Sequence, residues 1–335
     1  MTSAASTCLP MIWILSREAS TRVRRSRTHV DGCIFNTKAT ILKFTRTMSS
    51  DSIATPVEGA WQPRLSDSID GQPLASTVAS LFRDFPYDRL PKDKFIAFFL
   101  QPENVLCLLI FYLVSKPLFK AIAKMVNPKA TWFRASVAIH NLVLAIFSLV
   151  VAYYSWIIVL SHLKREGFFA TYCDKEGTLW QDYDFGSYAV IFYISKYYEF
   201  IDTWILILKG KEPSFLQVYH HTGIAIAMWG GVLSQSAWLQ SVVMLNSVIH
   251  TMMYTYFLIK TISPTTEIKA AKNLTMAQIG QFFTGIIYSA GVLYMGDSCD
   301  TPSSRISLAF LQLYGYGLVA LFAAFASRKY KKKKT

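Results

Sequence analysis

The feature that most constrains this chain is a succession of apolar runs, each close to the length that crosses about 30 Å of hydrocarbon. Seven stand out, at 104–122, 137–160, 186–208, 213–232, 237–260, 274–295 and 304–326. Hydrocarbon offers backbone amides no partner, so runs of this length must satisfy their own hydrogen bonds as α-helices. The pattern predicts an all-α, polytopic membrane protein with seven transmembrane helices. Composition agrees: 52% apolar and 16% charged residues exceed what one soluble core can bury.

A formal net charge of +13 raises the question of a nucleic-acid partner. Lys and Arg are sorted by loop, however, rather than gathered into one stripe, so no nucleic-acid role is expected. Lys116, Lys120, Lys124, Lys129 and Arg134 precede the second run, Lys209 and Lys211 the fourth, and Lys260, Lys269 and Lys272 the sixth. The tail adds Arg328, Lys329 and Lys331 to Lys334, whereas the alternate loops hold only Lys164, Arg165, Lys175 and Arg305. The positive-inside rule then assigns a cytosolic C-terminus and a lumenal N-terminus. Lys332 and Lys333 stand fourth and third from the end, an arrangement resembling an endoplasmic-reticulum retrieval signal; a membrane-hugging basic tail is the plainer reading.

Four segments are expected. Residues 1–47 form an Arg/Ser/Thr-rich extension, either an organelle-type transit segment or a stretch upstream of a start at Met48. Residues 48–95 form a soluble arm, 96–327 the seven-helix domain and 328–335 the basic tail. The endoplasmic reticulum membrane is the expected location, an organelle addressed by the extension the alternative. The five cysteines are too scattered for a zinc site. Cys173 and Cys299 both fall in loops assigned to the lumen, where a disulfide between them competes with two free thiols.

Ionisable groups are costly inside a bilayer, so those found there serve a site or pair with one another. The third run holds Lys196, Glu199 and Asp202 at i, i+3, i+6, a spacing that puts all three on one helical face, able to neutralise one another. Gln217, His220 and His221 occupy the fourth run, Asn246, His250, Tyr254 and Tyr256 the fifth, Gln278 and Gln281 the sixth. At 1.5 Å per residue, Asp202, His220, His250 and Gln278 lie about 6–15 Å from the cytosolic ends of their helices, in one slab. His140 and Asn141, alone in the second run, are expected only to make interhelical hydrogen bonds.

A two-iron oxygenase would need about twice the histidines present, namely His140, His220, His221 and His250. A single metal held by His220, His250 and Asp202 is geometrically open, but no metal is expected. Neutral imidazole is a competent acyl acceptor or general base. The one membrane cysteine, Cys107, lies in the first run outside the slab, so histidine is the better candidate nucleophile.

The motifs KYYEFIDT (196–203), QVYHH (217–221), NSVIHTMMYTYF (246–257) and TMAQIGQ (275–281) resemble, in order and spacing, those of the ELO (ELOVL) very-long-chain fatty-acid elongases. The likeness spans roughly 95–330 and includes Asn127, Pro128 and Asn141. It implies seven helices enclosing an acyl tunnel, and condensation of malonyl-CoA with a long-chain acyl-CoA to 3-oxoacyl-CoA, carbon dioxide and CoA. No tightly bound cofactor is implied. Implied partners are membrane lipid and the reductases and dehydratase of the elongation cycle, with a homodimer as an option.

Carried onto this sequence, the resemblance makes His220 the nucleophile and His250 its facing partner. His221, about 100° around the helix, supports Asp202 or the reacting carbonyl. Lys196, Glu199 and Asp202 hold the histidines in register, or form a purely structural cluster. Asn246, Gln278 and Gln281 donate to the developing oxyanion, with Tyr254 in support. Lys209, Lys211, Lys269 and Lys272 attract CoA phosphates, or report topology alone. Gln217 replaces the first histidine of the family's HxxHH box and is expected to orient rather than react. This variant resembles the box of polyunsaturated-fatty-acid elongases of algae and related lower eukaryotes, pointing to C18 or C20 polyunsaturated acyl-CoA. Saturated or monounsaturated chains are the alternative; a seven-span receptor or transporter is the rival class on topology alone.

Overall fold

The computed structural model describes residues 85, 87–266 and 271–330. The expected extension at 1–47, most of the arm at 48–95, Lys269 and the terminal lysines lie outside the described residues. All described residues belong to the unit Trp61–Thr335.

The described residues form ten α-helices and no strand. They are α1 Lys94–Leu100, α2 Pro102–Val114, α3 Lys116–Ala123, α4 Thr131–Cys173, α5 Phe185–Tyr198, α6 Phe200–Leu208, α7 Phe215–Leu233, α8 Leu239–Ile262, α9 Ala271–Met295 and α10 Pro302–Tyr330. Four are long and apolar enough to cross a membrane: Thr131–Cys173, Leu239–Ile262, Ala271–Ser298 (α9 with its following 3-10 turn) and Pro302–Tyr330. A fifth is reached if α1 and α2, bent by 70°, make one span.

Two expected runs are interrupted. The first, at 104–122, breaks at Ser115, before Pro117, which has no N–H for a continuous helix. The third, at 186–208, breaks at Glu199, where Asp202 N–H donates to the Glu199 carbonyl at 3.0 Å. The second run grows instead, because α4 reaches 43 residues. It kinks at Gly167, whose φ of +86° is strained for any side-chain-bearing residue. Beyond the kink, His162 contacts Thr171 and Thr178 at 2.8 and 2.9 Å, and the Asp174 carboxylate accepts from Leu179 and Trp180 N–H at 2.9 and 3.0 Å. A disulfide between Cys173 and Cys299 ties this end of α4 to the α9–α10 connection.

Helix α4 shows why the assembly suits lipid. Ile139, Leu142, Val143, Ile146, Leu149, Val150 and Tyr153 are exposed along one stripe, while His140, Asn141, Ser148, Ser155 and His162 are buried on the other. Polar groups inward and apolar groups outward is the reverse of a soluble surface helix and the pattern a bilayer demands.

Six elements close a ring: α4 packs along α8, α8 on α9, α9 on α10, α10 on α7, α7 on α5, and α5 back on α4. The ring encloses a cavity of about 960 Å³ lined from α4, the α5–α6 junction at Glu199, α6, α7, α8, α9 and α10.

Candidate active site

The break at Glu199 shapes the site. With α5 ending at Tyr198 and α6 starting at Phe200, the Glu199 carboxylate turns into the bundle. Lys196, fully buried, sets Nζ 2.7 Å from Glu199 Oε1 and 3.8 Å from the Phe192 ring centroid, and donates to Asn246 Oδ1 at 3.4 Å. A buried ion pair persists only where such extra partners offset desolvation. His250 Nδ1 lies 3.4 Å from the same Glu199 oxygen, short of hydrogen-bond geometry. The other carboxylate oxygen, Oε2, is buried without a hydrogen bond.

Asp202 does not join this pair, contrary to the i, i+3, i+6 expectation. Its Oδ1 meets His140 Nε2 at 2.8 Å, and its Oδ2 accepts from Tyr254 Oη at 2.7 Å. At i+6 Asp202 stands about 120° around the helix axis from Lys196, and α4 and α8 engage it instead. His140 thus makes the interhelical contacts expected of it, to Asp202 on α6, a cavity-lining carboxylate, and through Nδ1 to Tyr198 Oη on α5 at 3.3 Å. Asn141 lines the cavity and donates to Val137 O of its own helix at 2.9 Å, not across to a neighbour.

Asp202, His220, His250 and Gln278, from four different helices, all line this cavity. The His220 and His250 ring centroids are 6.5 Å apart, close enough for two imidazoles to address one ligand. His220, half-buried, meets Tyr314 Oη through Nδ1 at 2.8 Å, leaving Nε2 for the cavity. His221 also lines the cavity, with its ring 5.6 Å from His220 and edge-on to Tyr112 and Phe200 at 6.0 and 6.1 Å. Its Nδ1 is buried without a hydrogen bond, while both Asp202 oxygens are taken up by His140 and Tyr254. Expected support of Asp202 by His221 is thus replaced by an aromatic seat, because α7 turns His221 toward α2 and α6.

Gln217 Nε2 donates to Thr203 Oγ1 at 3.0 Å, and Thr203 pairs with Tyr112 Oη at 2.9 Å, linking α7, α6 and α2. Asn246 and Gln281 line the cavity, Gln281 with a buried, unpartnered carbonyl oxygen, while Gln278 Nε2 donates to Met253 Sδ at 3.6 Å. Of the candidate mouth lysines, Lys209 and Lys211 line the cavity, whereas Lys272 is exposed outside it. Lys129, Arg134, Lys260 and Lys329 complete the basic rim. Sequence spacing had marked these four only as topological charge, since rim membership depends on how helix ends converge. Tyr314 carried no signal of its own, being an ordinary aromatic in an apolar run, and Thr203 was marked only as the last residue of the KYYEFIDT motif. Among the described residues no group of three His, Cys, Asp or Glu side chains is disposed to hold a metal ion.

The family model described as ELO: GNS1/SUR4 family matches residues 97–335. "Fatty acid elongase 2" of Trypanosoma brucei brucei (strain 927/4 GUTat10.1) is 29% identical over 248 residues, covering 68% of this chain and 88% of its own length. "Fatty acid elongase sre1" of Dictyostelium discoideum is 32% identical over 209 residues, covering 59% and 76%. "Long chain fatty acid elongase 2" of Caenorhabditis elegans is 26% identical over 266 residues, covering 78% and 94%.

Proposed function

Because this chain belongs to the ELO (GNS1/SUR4) family, we propose that it performs the condensing step of fatty-acid elongation, joining malonyl-CoA to a long-chain acyl-CoA to give 3-oxoacyl-CoA, carbon dioxide and CoA. The observation that carries this reading is the His220–His250 pair, 6.5 Å apart across one cavity with His220 Nε2 left to a ligand. His220 takes the acyl group from the thioester through Nε2. His250, steadied by Glu199 and through it by Lys196, faces the bound acyl group and the incoming malonyl unit. Asn246, Gln278 and Gln281 are the candidate donors to the developing oxyanion. His221 shapes the wall that turns the acyl chain inward.

The topology that accompanies this reading has seven crossings, with α1–α2 and α5–α6 as broken spans and α4, α7, α8, α9 and α10 as continuous ones. It puts the N-terminus in the lumen, and the C-terminus and basic rim on the cytosolic face of the endoplasmic reticulum, where Lys209, Lys211 and their neighbours meet CoA phosphates. The preferred substrate class is C18 or C20 polyunsaturated acyl-CoA, motivated by Gln217 in the first box position. Reductases and a dehydratase complete each cycle, and a homodimer is compatible with the apolar outer faces.

Microsomes containing the chain, given labelled malonyl-CoA and a panel of C16 to C20 acyl-CoAs, test the reading directly. Product two carbons longer is expected with the wild type and absent with His220→Ala. A folded wild type that makes no such product from any acyl-CoA would sink the enzymatic reading.

A further inference from the structure

Tyr314 on α10 is buried, with its hydroxyl wedged between two atoms of a single residue on α7. Oη lies 2.8 Å from His220 Nδ1 and donates to the His220 backbone carbonyl at 3.1 Å. The ring is locked there: it packs against Gly223, where a Cβ would overlap it, and lies 5.4 Å from the Tyr219 ring, whose hydroxyl donates to the Tyr314 carbonyl at 3.3 Å.

A phenol has one proton and a backbone carbonyl can only accept. Both contacts are satisfied in one arrangement alone: Tyr314 O–H donates to the carbonyl, and His220 Nδ1–H donates to the phenolic oxygen. We propose that Tyr314 is a positioning residue that holds His220 as the Nδ1–H tautomer, with the Nε2 lone pair facing the cavity. This rests on the reading of His220 as the acyl acceptor.

The consequence reaches the intermediate. The Nε2 lone pair forms a bond to the thioester carbonyl carbon, the C–S bond breaks, and CoA leaves as thiolate to be protonated by water. The ring keeps its Nδ1 proton, so the acyl group sits on an imidazolium whose Nδ1–H still donates to the phenolic oxygen. Decarboxylation of malonyl-CoA supplies a carbanion equivalent; the new C–C bond forms as the N–C electron pair returns to Nε2. The imidazole is restored neutral and still protonated at Nδ1. An acyl-imidazolium is a stronger acyl donor than a neutral acyl-imidazole, so Tyr314 acts on rate more than on substrate affinity.

The test uses the full chain in detergent with ¹⁵N-labelled histidine, the His220 signals being those lost in His220→Gln. Wild type is expected to show a protonated Nδ1 and a bare Nε2, and Tyr314→Phe, which keeps the ring, a mixture of tautomers. In parallel, Tyr314→Phe should lose about ten- to a hundredfold in kcat with KM nearly unchanged, the scale of one hydrogen bond to a charged group. A protonated Nε2 in the wild type overturns the proposal, even if Tyr314→Phe cannot be recovered folded. So does a folded Tyr314→Phe that keeps a pure Nδ1–H tautomer. Turnover by His220→Ala would instead remove the nucleophile reading while leaving the tautomer readout standing, so the two failures are distinct.

Discussion

His140 Nε2 lies 2.8 Å from Asp202 Oδ1, joining α4 to the first turn of α6, three residues beyond the break at Glu199. Tyr254 Oη closes the other side at 2.7 Å, so one carboxylate receives groups from two neighbouring helices. The contact holds α6 against the cavity wall at the level of the histidine pair. A carboxylate at this depth is tolerated only because both of its oxygens are engaged.

Asp202→Asn keeps the shape but sets an amide N–H₂ against one of the two donors. A loss of about 1–3 kcal/mol in stability is expected, with turnover falling alongside it. Thermal unfolding in detergent and malonyl incorporation measure the two effects. An unchanged melting curve would show that His140 and Tyr254 do not depend on this oxygen pair.

Lys196→Met leaves Glu199 buried without its ion partner, a change expected to cost about 3–5 kcal/mol. The double variant Lys196→Met with Glu199→Gln removes both charges and should recover much of that loss, while activity stays low because His250 loses its carboxylate neighbour. Folded yield and melting temperature across the cycle decide it; a double variant no better than Lys196→Met alone would contradict the pairing as the source of the cost.

Gln217 donates to Thr203 rather than toward His220. Gln217→Ala is expected to cost about 1 kcal/mol through that lost hydrogen bond, and Gln217→His to change turnover only modestly. Elongation rates over the acyl-CoA panel check both. Complete inactivity of folded Gln217→His would place this residue in the chemistry itself.

Replacing Cys173 and Cys299 together by Ser opens a covalent link between residues 126 apart in sequence. Stability should fall by about 2–4 kcal/mol, the usual scale for closing a long loop, with kcat little changed because the bond lies away from the histidine pair. Melting curves with and without reductant make the comparison: the reductant should lower the wild-type curve toward that of the double variant. Equal curves for all four samples would show that the link contributes nothing.

What the amino-acid order determined by itself was local and periodic. Apolar length dictated helices, and depth along each helix pointed to Asp202, His220, His250 and Gln278 as one group, all of which line the cavity. Motif order pointed to the family that the match over 97–335 establishes. What only the tertiary structure decided was which neighbour each polar group meets. Spacing put Lys196, Glu199 and Asp202 on adjacent parts of one face, yet Lys196 pairs with Glu199 while Asp202 finds His140, 62 residues away. Spacing likewise gave no hint that Tyr314 would meet His220 across 94 residues. The reason is physical: a helix's repeat sets which side chains share a face, but the face's partner depends on helix crossings, and those are settled by packing of the whole ring.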